Sequence, residues 1–140
     1  MHVSFALFAD AANLSQEGKL NILGVFDAVQ VNTLPAVHPR AHLVVRLKGT
    51  RLDVGVHTMT LRWINPGGVE LWNTGGEIEI TPPPPTVVEM DFPLIAPVDL
   101  PLDQPGAYTM RIALDDETQA DVQLQVRAGA PMAAVSPLVS

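Results

Sequence analysis

Leu102-Asp103-Gln104-Pro105-Gly106-Ala107-Tyr108 is the stretch on which the reading of this chain turns. A glycine two residues ahead of a tyrosine, leading into an alternating run, is the pattern of the tyrosine corner in two-sheet Greek-key sandwiches. There the phenol bonds back to upstream backbone and fixes the crossover between sheets. The run it opens puts Tyr108, Met110, Ile112 and Leu114 on one pleat, and Asp115-Asp116-Glu117-Thr118 then makes a hairpin tip. In the strand that returns, Val122, Leu124 and Val126 alternate with Asp121, Gln123, Gln125 and Arg127.

Upstream the same period of two recurs. Val3, Phe5 and Leu7 share a face in a first strand over residues 2–9, and residues 10–17 read as a polar loop. Leu43, Val45 and Leu47 face inward against His42, Arg46 and Lys48. Met59, Leu61 and Trp63 oppose Thr58, Thr60 and Arg62, and Asn65-Pro66-Gly67-Gly68 turns the chain into a hairpin partner over residues 69–72. Ile78 and Ile80 alternate with glutamates, Pro82-Pro83-Pro84-Pro85 makes a stiff corner, and Val88, Met90, Phe92 and Leu94 continue the pattern. The longest apolar run, Gly18-Lys19-Leu20-Asn21-Ile22-Leu23-Gly24-Val25-Phe26-Asp27, continues through Val29 and Val31. It reads as a central strand, buried on both faces and bent at Gly24. With no amphipathic helix in the pattern, the expectation is all-β: a two-sheet antiparallel β-sandwich, an Ig/fibronectin-like Greek key with a tyrosine corner. Residues 1–127 form one domain in this reading, and residues 128–140 an extended apolar tail.

Composition agrees. Thirteen prolines in 140 residues is nearly double the usual share of about 5%, which suits a chain with many corners. A formal charge of −7 argues against a general basic field for nucleic acid. The absence of cysteine excludes disulfides, thiolate metal sites and a cysteine nucleophile. Met1 to Asp10 lacks the basic start and long apolar core of a signal peptide, and no apolar run approaches the roughly 20 residues of a membrane span. A soluble cytoplasmic protein, without membrane insertion, is expected.

Phe8-Ala9-Asp10-Ala11-Ala12, the run from Gly18 to Asp27, Pro35-Ala36-Val37-His38-Pro39 and Gly106-Ala107-Tyr108 together resemble a family of small bacterial β-sandwich proteins known only as a domain of unknown function. The similarity extends from about residue 3 to residue 127. It implies a sandwich fold and a bacterial source. It supplies no activity and no catalytic residues.

Candidate chemistry is thin. His38 and His42 have a spacing that suits a metal on a helix, but Pro39 biases His38 to extended backbone, where positions four apart lie about 13 Å apart. Asp10, Asp27 and His57 could meet a serine such as Ser15, yet no glycine-flanked nucleophile elbow is present. Asp115, Asp116 and Glu117 lack the alternating oxygens of a calcium loop. No catalytic, cofactor or metal residue is therefore assigned, and none of these groups is expected to be needed.

Apolar residues off the assigned core faces carry more information. Phe8, Phe26 and Trp72 either complete a second buried layer or form a contact patch. In the tail, Met132, Val135, Leu138 and Val139 lie among no charged side chains, with Pro131 and Pro137 favouring an extended strip that could serve as an assembly arm. The expected function is a non-enzymatic structural or interaction module that acts by self-association or by docking a protein partner. The alternative is a small-ligand or carbohydrate-binding sandwich that uses Trp63 or Trp72 as a stacking platform.

Overall fold

Alternation along the chain becomes two packed sheets in the computed structural model, which describes residues 1–129. In chain order the strands are β1 (His2–Leu14), β2 (Leu20–Phe26), β3 (Ala28–Val31), β4 (Ala36–Gly49), β5 (Gly55–Ile64), β6 (Glu70–Ile80), β7 (Met90–Leu102), β8 (Gly106–Leu114) and β9 (Glu117–Ala128). A 3-10 turn at Arg51–Asp53 links β4 to β5. One sheet has the order β2-β1-β4-β7 and the other β3-β9-β8-β5-β6. The fold is an all-β sandwich, as expected, with one departure from purely antiparallel pairing. Strand β3 runs parallel to β9, from Ala28↔Gln125 to Val31↔Ala128.

The run read as one central strand is two strands at the edges of different sheets. The chain changes sheets at Asp27, whose carbonyl accepts the Gln125 N–H at 2.8 Å, and not at Gly24. Nor is β2 buried on both faces: Leu23 is 71% exposed and Val25 61%. An apolar run without alternation looks the same in a sheet centre and at an uncovered edge, since hydropathy records composition and not neighbours.

The expected loop over residues 10–17 is largely strand. Strand β1 pairs with β4 only as far as Ala9↔His42, while its pairing with β2 continues to Leu14↔Leu20. The far half of the hairpin therefore leaves the sheet. At the point of departure Gly24 has a φ of 71° and lies under the Asp10 side chain, with no room for a Cβ. Beyond that point the hairpin folds back over the outer face of its own sheet. A cleft of about 410 Å³ separates Gly18, Lys19, Leu20 and Ile22 of the arm from Phe5, Arg46, Asp91 and Pro93 of the sheet. Ala9 and Val44, which belong to the outer face, are fully buried.

Between the sheets, Phe8, Leu43, Leu47, Trp63, Leu100, Tyr108, Met110 and Leu124 form the centre of the core. A row of rings crosses it. Phe26 stacks on Phe8 at 5.9 Å, Phe8 meets Trp63 edge-on at 6.0 Å, and Trp63 stacks on Tyr108 at 5.1 Å. Both polar ends of the last pair reach the β7–β8 connection. Trp63 Nε1 donates to the Pro101 carbonyl at 2.9 Å. The Tyr108 hydroxyl accepts from the N–H groups of Asp103 and Gln104 at 2.7 and 2.9 Å and donates to the Asp103 carboxylate. The corner is present as read.

Tyr108→Phe keeps the packing but leaves two backbone donors without their acceptor. We expect a loss of about 2 kcal/mol, read as a lower urea midpoint with an unchanged slope. A midpoint equal to wild type would show that water replaces the hydroxyl at no cost.

Candidate functional site

None of the sequence-derived catalytic sets comes together. His38 tilts against the Phe26 ring at 5.1 Å, on the core side. His42 lies on the other face of β4, because Arg40, with φ of 53°, inserts a bulge between His38 and Ala41. The two imidazoles cannot share an ion. On that outer face His42 is half-buried, and its Nδ1 is enclosed without a hydrogen-bond partner among the described residues. Asp10 covers Gly24, Asp27 sits at the sheet switch, and the Ser15 hydroxyl accepts from Lys19 N–H at 3.1 Å. Among the described residues there is no group of three or more His, Cys, Asp or Glu side chains arranged to hold a metal.

His57 has different partners. Its Nδ1 lies 2.6 Å from Asp115 Oδ2 and its Nε2 2.6 Å from the Asp53 carbonyl. Both partners are acceptors, so only the doubly protonated ring satisfies both. The Asp115 hydrogen bond, followed by that to the Asp53 backbone, raises the pKa of His57, and Asp115 is held below the usual carboxylate range chiefly by the same bond. Asp115 and Asp116, with φ of 49° and 67°, form the two-residue tip between β8 and β9. Both central residues of such a tip need positive φ. The acidic cluster is thus a hairpin tip pinned to β5, with Asp115 Oδ1 also accepting the Thr58 N–H at 3.0 Å.

A second network escaped the sequence reading. Asn65, buried at 7% exposure, donates through Nδ2 to Asp103 Oδ2 at 3.0 Å and accepts the Val69 N–H at 2.8 Å. It couples the β5–β6 turn to the tyrosine corner. Gly106, at φ of 129°, lets Pro66 pack against it where a Cβ would collide. The signal was present as an asparagine opening a Pro-Gly-Gly turn, but its partner lies 38 residues away.

The expected contact patch dissolves. Phe8 is fully buried in the core, so it has no face to offer a partner. Phe26 and Trp72 are half-buried and pack against that core, which corrects the patch toward a second buried layer. Trp63 is likewise enclosed and cannot serve as a stacking platform. Met132, Val135, Leu138 and Val139 lie outside the described residues.

The sheet edges remain, and they differ. An open edge presents unpaired N–H and C=O groups that invite another strand, and proteins commonly block it. Strand β7 carries Pro93, Pro97 and Pro101, which lack donors and suit an edge whose N–H row faces solvent. Strand β6 carries Glu70, Glu77 and Glu79 around Gly75-Gly76. Strand β3 is only four residues long. Strand β2, Leu-Asn-Ile-Leu-Gly-Val-Phe, has neither a charge nor a proline. Its hairpin turn fixes which groups point outward. The Ser15 N–H donates to the Lys19 carbonyl at 2.8 Å, in the same register as Asn13↔Asn21 and Ala11↔Leu23. Antiparallel pairing alternates, so Asn21, Leu23 and Val25 bond inward to β1. Leu20, Ile22, Gly24 and Phe26 turn their N–H and C=O groups to the open side.

The chain belongs to a family of unknown function, DUF6941, whose model matches residues 4–127. This agrees with the resemblance in the sequence and with its extent. No curated protein matches the chain. None of the helical structure among the described residues is long and apolar enough to cross a membrane.

The His57 clasp generates a pH expectation. A raised histidine pKa stabilises the fold fully below the ordinary value of 6.5, and that contribution disappears as pH rises through the higher folded value. The lowered Asp115 contributes above its ordinary 3.8 and is lost as pH falls through its folded value. The clasp is therefore strongest between these limits. Thermal midpoints of wild type should fall from pH 6.5 toward pH 8.5, and His57→Gln should flatten that slope. Parallel profiles would remove His57 as its source.

Proposed function

We propose that this protein is a non-enzymatic interaction module that works by pairing the open edge of β2 with an extended strand, of its own kind or of a protein partner. The observation that carries this reading is the contrast among the edges. Three are blocked by proline, by glutamate or by shortness, whereas β2 is uncharged, proline-free and exposed at Leu23 and Val25. Strand addition draws affinity from main-chain hydrogen bonds and selectivity from alternate side chains. The folded-back arm supports the same use, because the bend at Asp10 and Gly24 holds the edge at a set position.

The sandwich over residues 1–127 is the single domain that carries this edge. Two features support an immunoglobulin-like grouping: the tyrosine corner, and an early strand running parallel to the last one. The cysteine-free sequence fits a reducing, cytoplasmic setting.

Leu23→Lys tests the reading. The side chain is exposed, so the fold should survive with its thermal midpoint unchanged, while a charge on the edge should oppose pairing. In concentrated extract of the cells that make it, wild type should elute as an assembly larger than one 15.0 kDa chain, and Leu23→Lys as the single chain. A wild type that already runs at the single-chain mass would falsify the proposal.

A further inference from the structure

We infer that the cleft between the folded-back arm and the outer face of its sheet binds a small apolar monocarboxylate, such as a medium-chain fatty acid. This goes beyond the edge reading and does not depend on it. The cleft uses the pleat of β2 that carries Leu20 and Ile22, whereas Leu23, which the edge test alters, is on the other. Register sets the floor of the cleft. Arg46 of β4 pairs with Phe5 of β1 on one side and with Pro93 of β7 on the other, so the three stand in a row across the sheet. Asp91, two residues from Pro93, shares their face. The arm supplies the facing wall. Leu20 and Ile22 on that wall are half-buried, and so are Phe5 and Pro93 on the floor, which leaves apolar surface on both sides of a gap. Its volume, about 410 Å³, lies within the roughly 300–1,000 Å³ of small-molecule sites, which combine apolar walls with a few polar groups.

Charge selects the ligand. Two cations, Lys19 and Arg46, line the cleft against one carboxylate, Asp91, in a chain whose net charge is −7. Asp91 is already engaged. It accepts from Arg46 Nε at 2.8 Å and from Nη2 as well. That grip fixes the guanidinium and leaves Nη1, with its two N–H groups, without a partner among the described residues. The Lys19 side chain is 78% exposed, with a loose 3.6 Å contact to Glu17, which does not line the cleft. A held guanidinium and an exposed ammonium suit one carboxylate through charge-assisted hydrogen bonds. The apolar walls suit a hydrocarbon body. A sugar would find too few polar partners here, and a polyphosphate too few cations.

Isothermal titration of the purified protein with octanoate, and with octanamide as its uncharged counterpart of equal length, tests the site. At low salt octanoate should bind one to one, and about tenfold more tightly than octanamide. Lys19→Gln and Arg46→Gln should each weaken octanoate about fivefold and leave octanamide unchanged. With both substitutions together the two ligands should bind alike. Ile22→Trp should fill the cleft and abolish binding of either. Lys19 is exposed, so Lys19→Gln keeps the fold, and thermal midpoints check Arg46→Gln and Ile22→Trp. Absence of saturable octanoate binding at millimolar concentration overturns the inference. So does an octanoate affinity equal to that of octanamide, or one that neither charge substitution changes. Weakening by Leu52→Gln, at the exposed apolar surface beside Val87 and Val88, would place the ligand elsewhere and overturn it too.

Discussion

The sandwich depends on one aromatic pair within a sheet, Trp63 stacked on Tyr108, whose polar ends are both tied across to the other layer at the chain that leaves β7. Trp63 belongs to β5 and Tyr108 to β8, neighbours in one sheet, while Pro101, Asp103 and Gln104 belong to the end of the other sheet and its exit. Trp63 and Tyr108 are the two largest fully buried side chains, and aromatic stacking adds about 0.5–1.5 kcal/mol beyond area. Such rings can be fully buried only if the indole N–H and the phenol find partners. The β7–β8 connection provides those partners, so packing and crossover are fixed together. Asn65 then binds the opposite turn to Asp103, and the end of the sandwich closes as one hydrogen-bonded unit.

Local chemistry was the legible part of the sequence. Gly106 and Tyr108 announced the corner because the motif is contained within a few residues. The alternation at 43–47, 59–63 and 108–114 declared its inward faces because a half-buried strand must separate its pleats. The proline run was readable as a rigid corner, and the Arg51 guanidinium now holds it through the Pro83 and Pro84 carbonyls.

What depended on neighbours was not legible. Whether Leu23 is central or exposed is decided by which strand lies beside it, and β2 has β1 on one side only. Strict period-two alternation from Val3 places Phe8 on the pleat opposite Val3, Phe5 and Leu7. The register shift between Val3 and Phe5 instead turns Ala6 and Phe8 inward and leaves Phe5 and Leu7 on the outer face. One inserted residue reverses every later position on a strand. His38 and His42 are separated by the same device at Arg40. The His57 clasp was out of reach for another reason: Asp115 is 58 residues away, and nothing local marks the pair.

Edge logic links these misses to the proposed function. A sheet edge tolerates an uncharged apolar strand only where something prevents open-ended stacking. A strand added to β2 consumes that edge, and the other border of the same sheet is β7. That border carries prolines at positions 93, 97 and 101, so the four-stranded sheet ends on its far side in a strand that cannot readily recruit another. Pairing through β2 would thereby be confined to one side of the sheet, because β7 is a poor ladder partner. The Gly24 bend contributes to this limit, because the far half of β2 is carried over the outer face and a long flat edge never forms. Blocked and open edges in one molecule are then parts of a single arrangement, in which proline sets where association ends and an uncharged strand sets where it begins.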